Sequence, residues 1–110
     1  MKLIFLLFVA ACAARHAPEL QVARAAILKA EKDLASDRAG LAEARATLRE
    51  AEALDERRPG VIEARDLAYI AALRAMRAEV DGRAAVIEQK LERASEERND
   101  NRAKRVSPKE

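Results

Sequence analysis

The side chains best suited to covalent catalysis are few in this chain of 110 residues. There is one cysteine, Cys12, one histidine, His16, and three serines, at positions 36, 95 and 107. A His/Cys metal cluster needs more of these residues than the chain offers. The one imidazole stands at the edge of the apolar amino terminus, so no serine or cysteine activated by histidine can be assembled within the predicted helices. The sequence therefore predicts a protein that is not an enzyme, with no metal and no cofactor.

Acidic and basic residues are plentiful but nearly balanced, with 19 Asp and Glu against 21 Lys and Arg and a net charge of +2. Carboxylates such as Glu31 and Glu52 alternate with basic residues, which is typical of a solvated helix face. A glycine-rich phosphate loop and a basic patch interleaved with aromatic residues are both missing. Neither nucleic acid nor a small-molecule substrate is expected as a partner.

The apolar residues are small. The hydrophobic set makes up 50% of the chain and aromatic residues only 3%, with three Gly and three Pro. Alanine, Leu, Glu, Arg and Lys lose little side-chain entropy in a helix, so long helices are predicted and a turn-rich β fold is not. Tyr69, the single aromatic residue beyond position 14, is predicted to pack near Leu48, the alternative being a ligand contact.

The amino terminus carries an uninterrupted apolar run from Leu3 to Ala14, preceded by Lys2 and closed by Arg15. Its twelve residues fall short of the roughly 20 that span a bilayer as a helix. A positive start, an apolar centre and a small-residue exit are typical of a secretory signal peptide. The alternative is a buried core helix, although the run is apolar on every side.

Within this run, Val9-Ala10-Ala11-Cys12 resembles the lipobox of bacterial lipoproteins. The resemblance implies a signal peptide over 1–11, a lipid-modified Cys12 and a short tether over 12–17, with acyl chains holding the protein on a membrane. Ala13, small and not Asp, is similar to members sorted to the outer membrane. Cleavage after Ala13 without lipid, or an uncleaved tether, are the alternatives.

A seven-residue pattern follows the tether. Pro18 suits a helix start, and large residues recur at Leu20, Ile27, Leu34, Leu41 and Leu48. Alanine stands three residues after each of them except at Asp37, the one polar exception. The pattern predicts a first helix over 18–56 with an alanine-rich buried seam.

Pro59 and Gly60 predict a turn over 57–60 and a second helix over 61–97. Its predicted buried seam contains Ile62, Tyr69, Leu73, Met76, Val80, Ala84, Ile87, Leu91 and Ala94, with one stutter of two consecutive four-residue steps from Met76 through Val80 to Ala84. Folding back at the turn gives a long antiparallel two-helix hairpin of an all-α protein. Leu41 then lies by Met76, and Asp37 faces Val80, where an irregular hairpin is expected. The basic, polar tail over 98–110 is predicted to be frayed or disordered.

Three sequence blocks resemble a family of alanine-rich envelope lipoproteins, a domain of unknown function found alone behind a lipobox or ahead of an OmpA-like domain. The blocks are Ala17-Pro18-Glu19-Leu20, then Leu41-Ala42-Glu43-Ala44-Arg45 with Leu48 and Ala51, and Glu63-Ala64-Arg65-Asp66-Leu67-Ala68 leading to Ala71, Ala72 and Leu73. Arg57-Arg58-Pro59-Gly60 stands where that family has a Gly-Asp-Tyr-like turn. The resemblance implies an envelope location and a helical hairpin, and no known reaction.

Three functions are compatible with these observations. The first is a structural or adaptor lipoprotein of the cell envelope, anchored in the outer membrane, facing the periplasm, and associating with itself or with another envelope protein through incompletely covered apolar faces around Leu28, Leu67, Ile70 and Val86. The second is a soluble periplasmic binding or chaperone-like module released after signal cleavage. The third is a cytosolic coiled coil whose amino terminus only resembles a leader.

Overall fold

The computed structural model describes residues 15–106, and within this range every regular element is an α-helix. The helices are α1 (Glu19–Lys32), α2 (Arg38–Arg57) and α3 (Ile62–Val106). The prediction of an all-α fold is therefore confirmed for these residues. None of the described helices is long and apolar enough to cross a membrane. The predicted signal peptide and Cys12 lie outside the described residues.

The three helices run up, down and up. Glu19 at the start of α1 binds Arg65 near the start of α3, at 2.9 Å, and Asp33 after the end of α1 meets Arg83 further along α3, at 3.4 Å. Between α1 and α2, Arg24 binds Glu52 at 2.9 Å and Arg45 binds Glu31 at 2.7 Å. Thus α1 lies parallel to α3 and antiparallel to α2, and the described chain forms a three-helix bundle in place of the predicted two-helix hairpin.

The predicted first helix over 18–56 is interrupted at residues 33–37. Asp33 has extended backbone at the end of α1, and its carboxylate accepts a hydrogen bond from the backbone N–H of Ala35 at 3.0 Å. Asp37 is the N-cap of α2 and accepts from the N–H of Gly40 at 3.2 Å. Aspartate competes with helical hydrogen bonding in this way at turns and caps. From the sequence, an irregular hairpin is expected near Asp37. The chain in fact reverses its direction there, between α1 and α2.

The buried residues of α1 and α2 follow the predicted seven-residue pattern. Leu20, Ile27 and Leu41 are buried, as are four alanines of the alternate positions (Ala23, Ala30, Ala44 and Ala51). Leu34 is an exception: it lies in the connection and is 88% exposed. The pattern identified most of the core residues of α1 and α2, and the predicted continuity of the helix is wrong.

The buried face of α3 consists of small residues, contrary to the predicted seam. It contains Ala64, Ala68, Ala71, Ala72, Ala75, Ala78 and Gly82, together with Glu79. The register between α2 and α3 nevertheless agrees with the prediction to within about one turn, because the N–H of Asp37 donates to the carbonyl of Ala78 at 2.9 Å. Leu41 accordingly packs with Ala75 and Ala78, while Met76 points away.

The turn between α2 and α3 depends on Gly60, whose φ of +74° lies in the left-handed region that favours glycine. Beyond the bundle, α3 continues to Val106, so the described part of the predicted frayed tail is helical. Residues 87–106 are all exposed. At 1.5 Å per residue they project about 30 Å past the bundle.

Candidate interaction surface

Nine large apolar side chains of α3 are exposed, and all of them except Ile70 and Val106 lie along one stripe of the helix. The seven residues of the stripe are between 45% and 65% exposed. We call this set the outer face of α3: Ile62, Tyr69, Leu73, Met76, Val80, Ile87 and Leu91. These are the large residues of the predicted second seam, and the prediction that they form the internal core is wrong.

The outer face and the buried face are on opposite sides of α3. At about 100° per residue, the seven outer residues fall within roughly 60° of one another around the helix axis. The buried small residues centre on the opposite direction, where α1 and α2 pack. Alanine permits the three helices to approach closely, and the large residues are left facing solvent.

An exposed face of this kind has an energetic consequence. Covering a half-exposed Leu, Ile or Met contributes about 1 kcal/mol each. Single apolar residues on a surface are ordinary, but a continuous row of them marks a contact site. Leu28 and Val22 of α1 are also exposed, at 57% and 63%, but they lie apart from the outer face.

Charged residues border the outer face with different signs on its two sides. Around the helix, Arg65, Arg83 and Lys90 follow one border. The other border carries Asp66 and Glu88, with Arg77 between them. Arg65 also pairs with Glu19 of α1, and Arg83 pairs with Asp33 of the connection and with Glu79 of α3. The borders can therefore select a partner and its orientation.

The buried carboxylate of Asp55 forms hydrogen bonds both with the segment before α1 and with the turn after α2. Asp55 is 1% exposed. Its Oδ1 accepts the backbone N–H of Gly60 at 2.8 Å and that of Ala17 at 3.1 Å, and its Oδ2 lies 2.6 Å from Nδ1 of His16. The hydrogen bond from Gly60 is the largest cause that lowers the pKa of Asp55, and those from His16 and Ala17 add to it against desolvation. The burial of Asp55 could have been predicted from the sequence, because position 55 continues the seven-residue series of buried positions after Leu48.

A histidine paired with a carboxylate also occurs in hydrolytic triads, but no described serine lies near His16 and Asp55. Among the described serines, Ser36 lies in the connection at the far end of the bundle and Ser95 lies on the projecting part of α3. Both oxygens of Asp55 are already engaged by the three donors. Within residues 15–106, these hydrogen bonds hold the segment before α1 against the turn after α2.

The remaining predicted residues have clear positions. Glu31 and Glu52 are each paired with an arginine across the α1–α2 contact. Tyr69 belongs to the outer face, 61% exposed, and not to the core near Leu48. No cluster of His, Cys, Asp and Glu that could hold a metal occurs in the described part of the chain. Cys12 lies outside that part.

The comparisons with known proteins return nothing. No protein-family model, curated protein or solved structure matches the chain.

Proposed function

We propose that the protein is a non-enzymatic structural or adaptor lipoprotein of the cell envelope, which presents the outer face of α3 to a protein partner. The observation that carries the adaptor role is the position of the large apolar residues. Five of the seven lie opposite the bundle and two, Ile87 and Leu91, lie on the part of α3 beyond it, and none belongs to the buried core. A helix that keeps its large residues outside is suited to contact another protein.

The proposed anchor is Cys12, at the end of the apolar run from Leu3. Lipid on Cys12 would place the predicted tether, residues 12–17, between the membrane and α1, with its last two residues, His16 and Ala17, bound to Asp55. Several acyl chains, at about 0.8 kcal/mol per buried methylene, make such attachment durable. The outer membrane, with the bundle in the periplasm, is the proposed location, and it rests on the lipobox resemblance and on Ala13.

Metabolic labelling with a fatty-acid analogue tests the anchor. We expect the wild-type protein to carry the label and to sediment with membranes, and Cys12→Ser to lose the label completely. Ala13→Ser is the matched control, because it changes the neighbouring residue and keeps the thiol. An unlabelled wild-type protein that stays in the soluble periplasmic fraction would favour the soluble binding or chaperone-like module, and an intact Met1 in cytosol would favour the cytosolic coiled coil.

The adaptor role has a separate test. A photo-reactive amino acid at Leu73, on the outer face, should crosslink the protein to a partner chain in living cells, while the same probe at Leu28 should do so far less. Equal crosslinking from the two positions would contradict the assignment of the contact to the outer face.

A further inference from the structure

The residues of the outer face are separated by seven and by eleven positions. Ile62, Tyr69 and Met76 are seven apart, and Tyr69, Val80 and Leu91 are eleven apart. Seven residues make just under two turns of an α-helix and eleven make just over three, so residues at either spacing stay on one side of a long helix. From Ile62 to Leu91 the face is about 44 Å long at 1.5 Å per residue.

The buried side of α3 has the same two spacings. Ala64, Ala71 and Ala78 are seven residues apart, and Ala64 and Ala75, like Ala71 and Gly82, are eleven apart. The helix therefore carries two continuous stripes, one of small residues that packs on α1 and α2 and one of large residues that is open to a further helix. The stutter in the predicted seam is the extra four-residue step that turns a spacing of seven into one of eleven.

The dimensions of the outer face favour a second copy of the same chain as its occupant. Seven half-exposed side chains leave several hundred Å² of apolar surface, which approaches the roughly 800 Å² that each partner contributes to a standard interface. The outer face of a second α3 is an apolar stripe of the same length and spacing, so it can cover the whole face.

The charged borders distinguish the two possible orientations. If two outer faces pack antiparallel over their full length, Arg65 meets Lys90 of the second copy and Asp66 meets Glu88 of the second copy. Both contacts join like charges, which is unfavourable. If they pack parallel, each border residue faces the opposite border about five positions further along. Arg83 then meets Glu88 of the second copy, and Arg77 meets the uncharged Ala72.

We propose that the outer face of α3 is the interface of a parallel homodimer. The proposal rests on the proposed function only in treating this face as a contact surface, and it names the partner. The two bundles lie on the outside of the paired helices, and both amino-terminal ends point the same way, so both tethers can reach one membrane. The paired helices form the axis of the dimer.

Disulfide crosslinking of the full chain in its membranes tests the parallel arrangement. Leu91→Cys places a cysteine in the interface opposite its own copy, and we expect a disulfide-linked dimer on mild oxidation. Arg93→Cys is the matched control, since it is exposed nearby on the other side of α3, and it should give at least about tenfold less dimer; the parent chain reports any linkage through Cys12. Equal yields from the two variants, or none from Leu91→Cys, would overturn the proposal. A dimer formed only by the double variant Ile62→Cys/Leu91→Cys would overturn the parallel orientation.

Sedimentation of the purified full chain in detergent tests the interface itself. Ile87 and Leu28 are both 57% exposed, so Ile87→Glu and Leu28→Glu are matched in burial and charge. We expect Ile87→Glu to weaken the dimer at least about 100-fold, because it places two carboxylates together at the interface, and Leu28→Glu to leave it unchanged. Circular dichroism of both variants should show the helix content of the wild type. A monomeric wild type, or equal loss in the two variants, would contradict the proposal.

Exchange of the border charges tests the orientation independently. Glu88→Arg should weaken a parallel dimer several-fold, because it faces Arg83 of the second copy, and Arg83→Glu/Glu88→Arg should restore it. In an antiparallel dimer Glu88→Arg would instead strengthen association by facing Asp66. If the wild-type chain is monomeric but crosslinks through Leu73 to a different protein in cells, the homodimer is excluded while the adaptor role stands.

Discussion

Gly82→Ala is expected to destabilise the protein, although alanine is the better helix former. A Cβ at this position would overlap the carbonyl of Ala35 and approach the Cα of Ser36, which are backbone atoms of the connection between α1 and α2. The intrinsic gain of about 1 kcal/mol for Gly→Ala in a helix is then exceeded by the cost of moving this backbone. Displacement also stretches the hydrogen bond from the N–H of Asp37 to the carbonyl of Ala78.

The expected net loss is about 2 kcal/mol in the free energy of unfolding, measured by urea denaturation followed by circular dichroism. Ser36→Ala is the matched control. Its hydroxyl oxygen is buried without a hydrogen-bond partner, so its removal should change stability by no more than about 0.5 kcal/mol. If Gly82→Ala were more stable than the wild type, the connection could not be held against α3 as the structure has it.

The contact of Gly82 with the connection also bears on why the sequence pattern predicted two helices where the structure has three. Leu20 and Leu41 are 21 residues apart, so the seven-residue phase survives a five-residue interruption and the seam looks continuous. What marks the break is local: Asp33 and Asp37 are turn and cap formers four residues apart, and Gly82 leaves room for the backbone between them. Core positions follow from periodicity, whereas a chain reversal depends on a few polar residues and on a glycine in a distant helix.

Periodicity also could not decide which of the two stripes of α3 is buried. Its large residues and its small residues each form a helical stripe, and the burial of large residues is the ordinary expectation. In a bundle of three closely spaced helices the alanine stripe is the one that fits, and α1 and α2 supply the large buried side chains, such as Leu20, Ile27 and Leu41. Which stripe of a two-sided helix is inside is settled by the shape of its neighbours, which the sequence of that helix does not contain.

Asp55→Ala is expected to lower the Tm by roughly 10 °C or more, as monitored by circular dichroism at pH 7. The variant removes the acceptor of two backbone N–H groups and leaves a cavity between the segment before α1 and the turn at Gly60. His16→Ala removes one of the three hydrogen bonds from a largely exposed side chain, so its effect should be clearly smaller. Glu56→Ala, an exposed neighbour on the same helix, should leave the Tm nearly unchanged.

Asp55→Asn separates the charge of this residue from its role as an acceptor. The asparagine carbonyl can still accept from Ala17 and Gly60, but the amide beside it can no longer accept from His16. Because folding lowers the pKa of Asp55, the carboxylate stabilises the folded chain at pH values above the ordinary aspartate pKa of about 3.9. This contribution declines as the pH falls below about 4, and it disappears once the pH has passed the lowered pKa.

The Tm difference between the wild type and Asp55→Asn should therefore shrink as the pH falls below about 4. The comparison isolates Asp55, because Glu19, whose pKa is lowered chiefly by its hydrogen bond with Arg65, is present in both proteins and cancels. If the Tm difference stayed the same at pH values well below about 4, the charge of Asp55 would not be what holds the start of α1 to the turn. Convergence would identify this one carboxylate as the acid-sensitive attachment between the amino-terminal segment and the bundle.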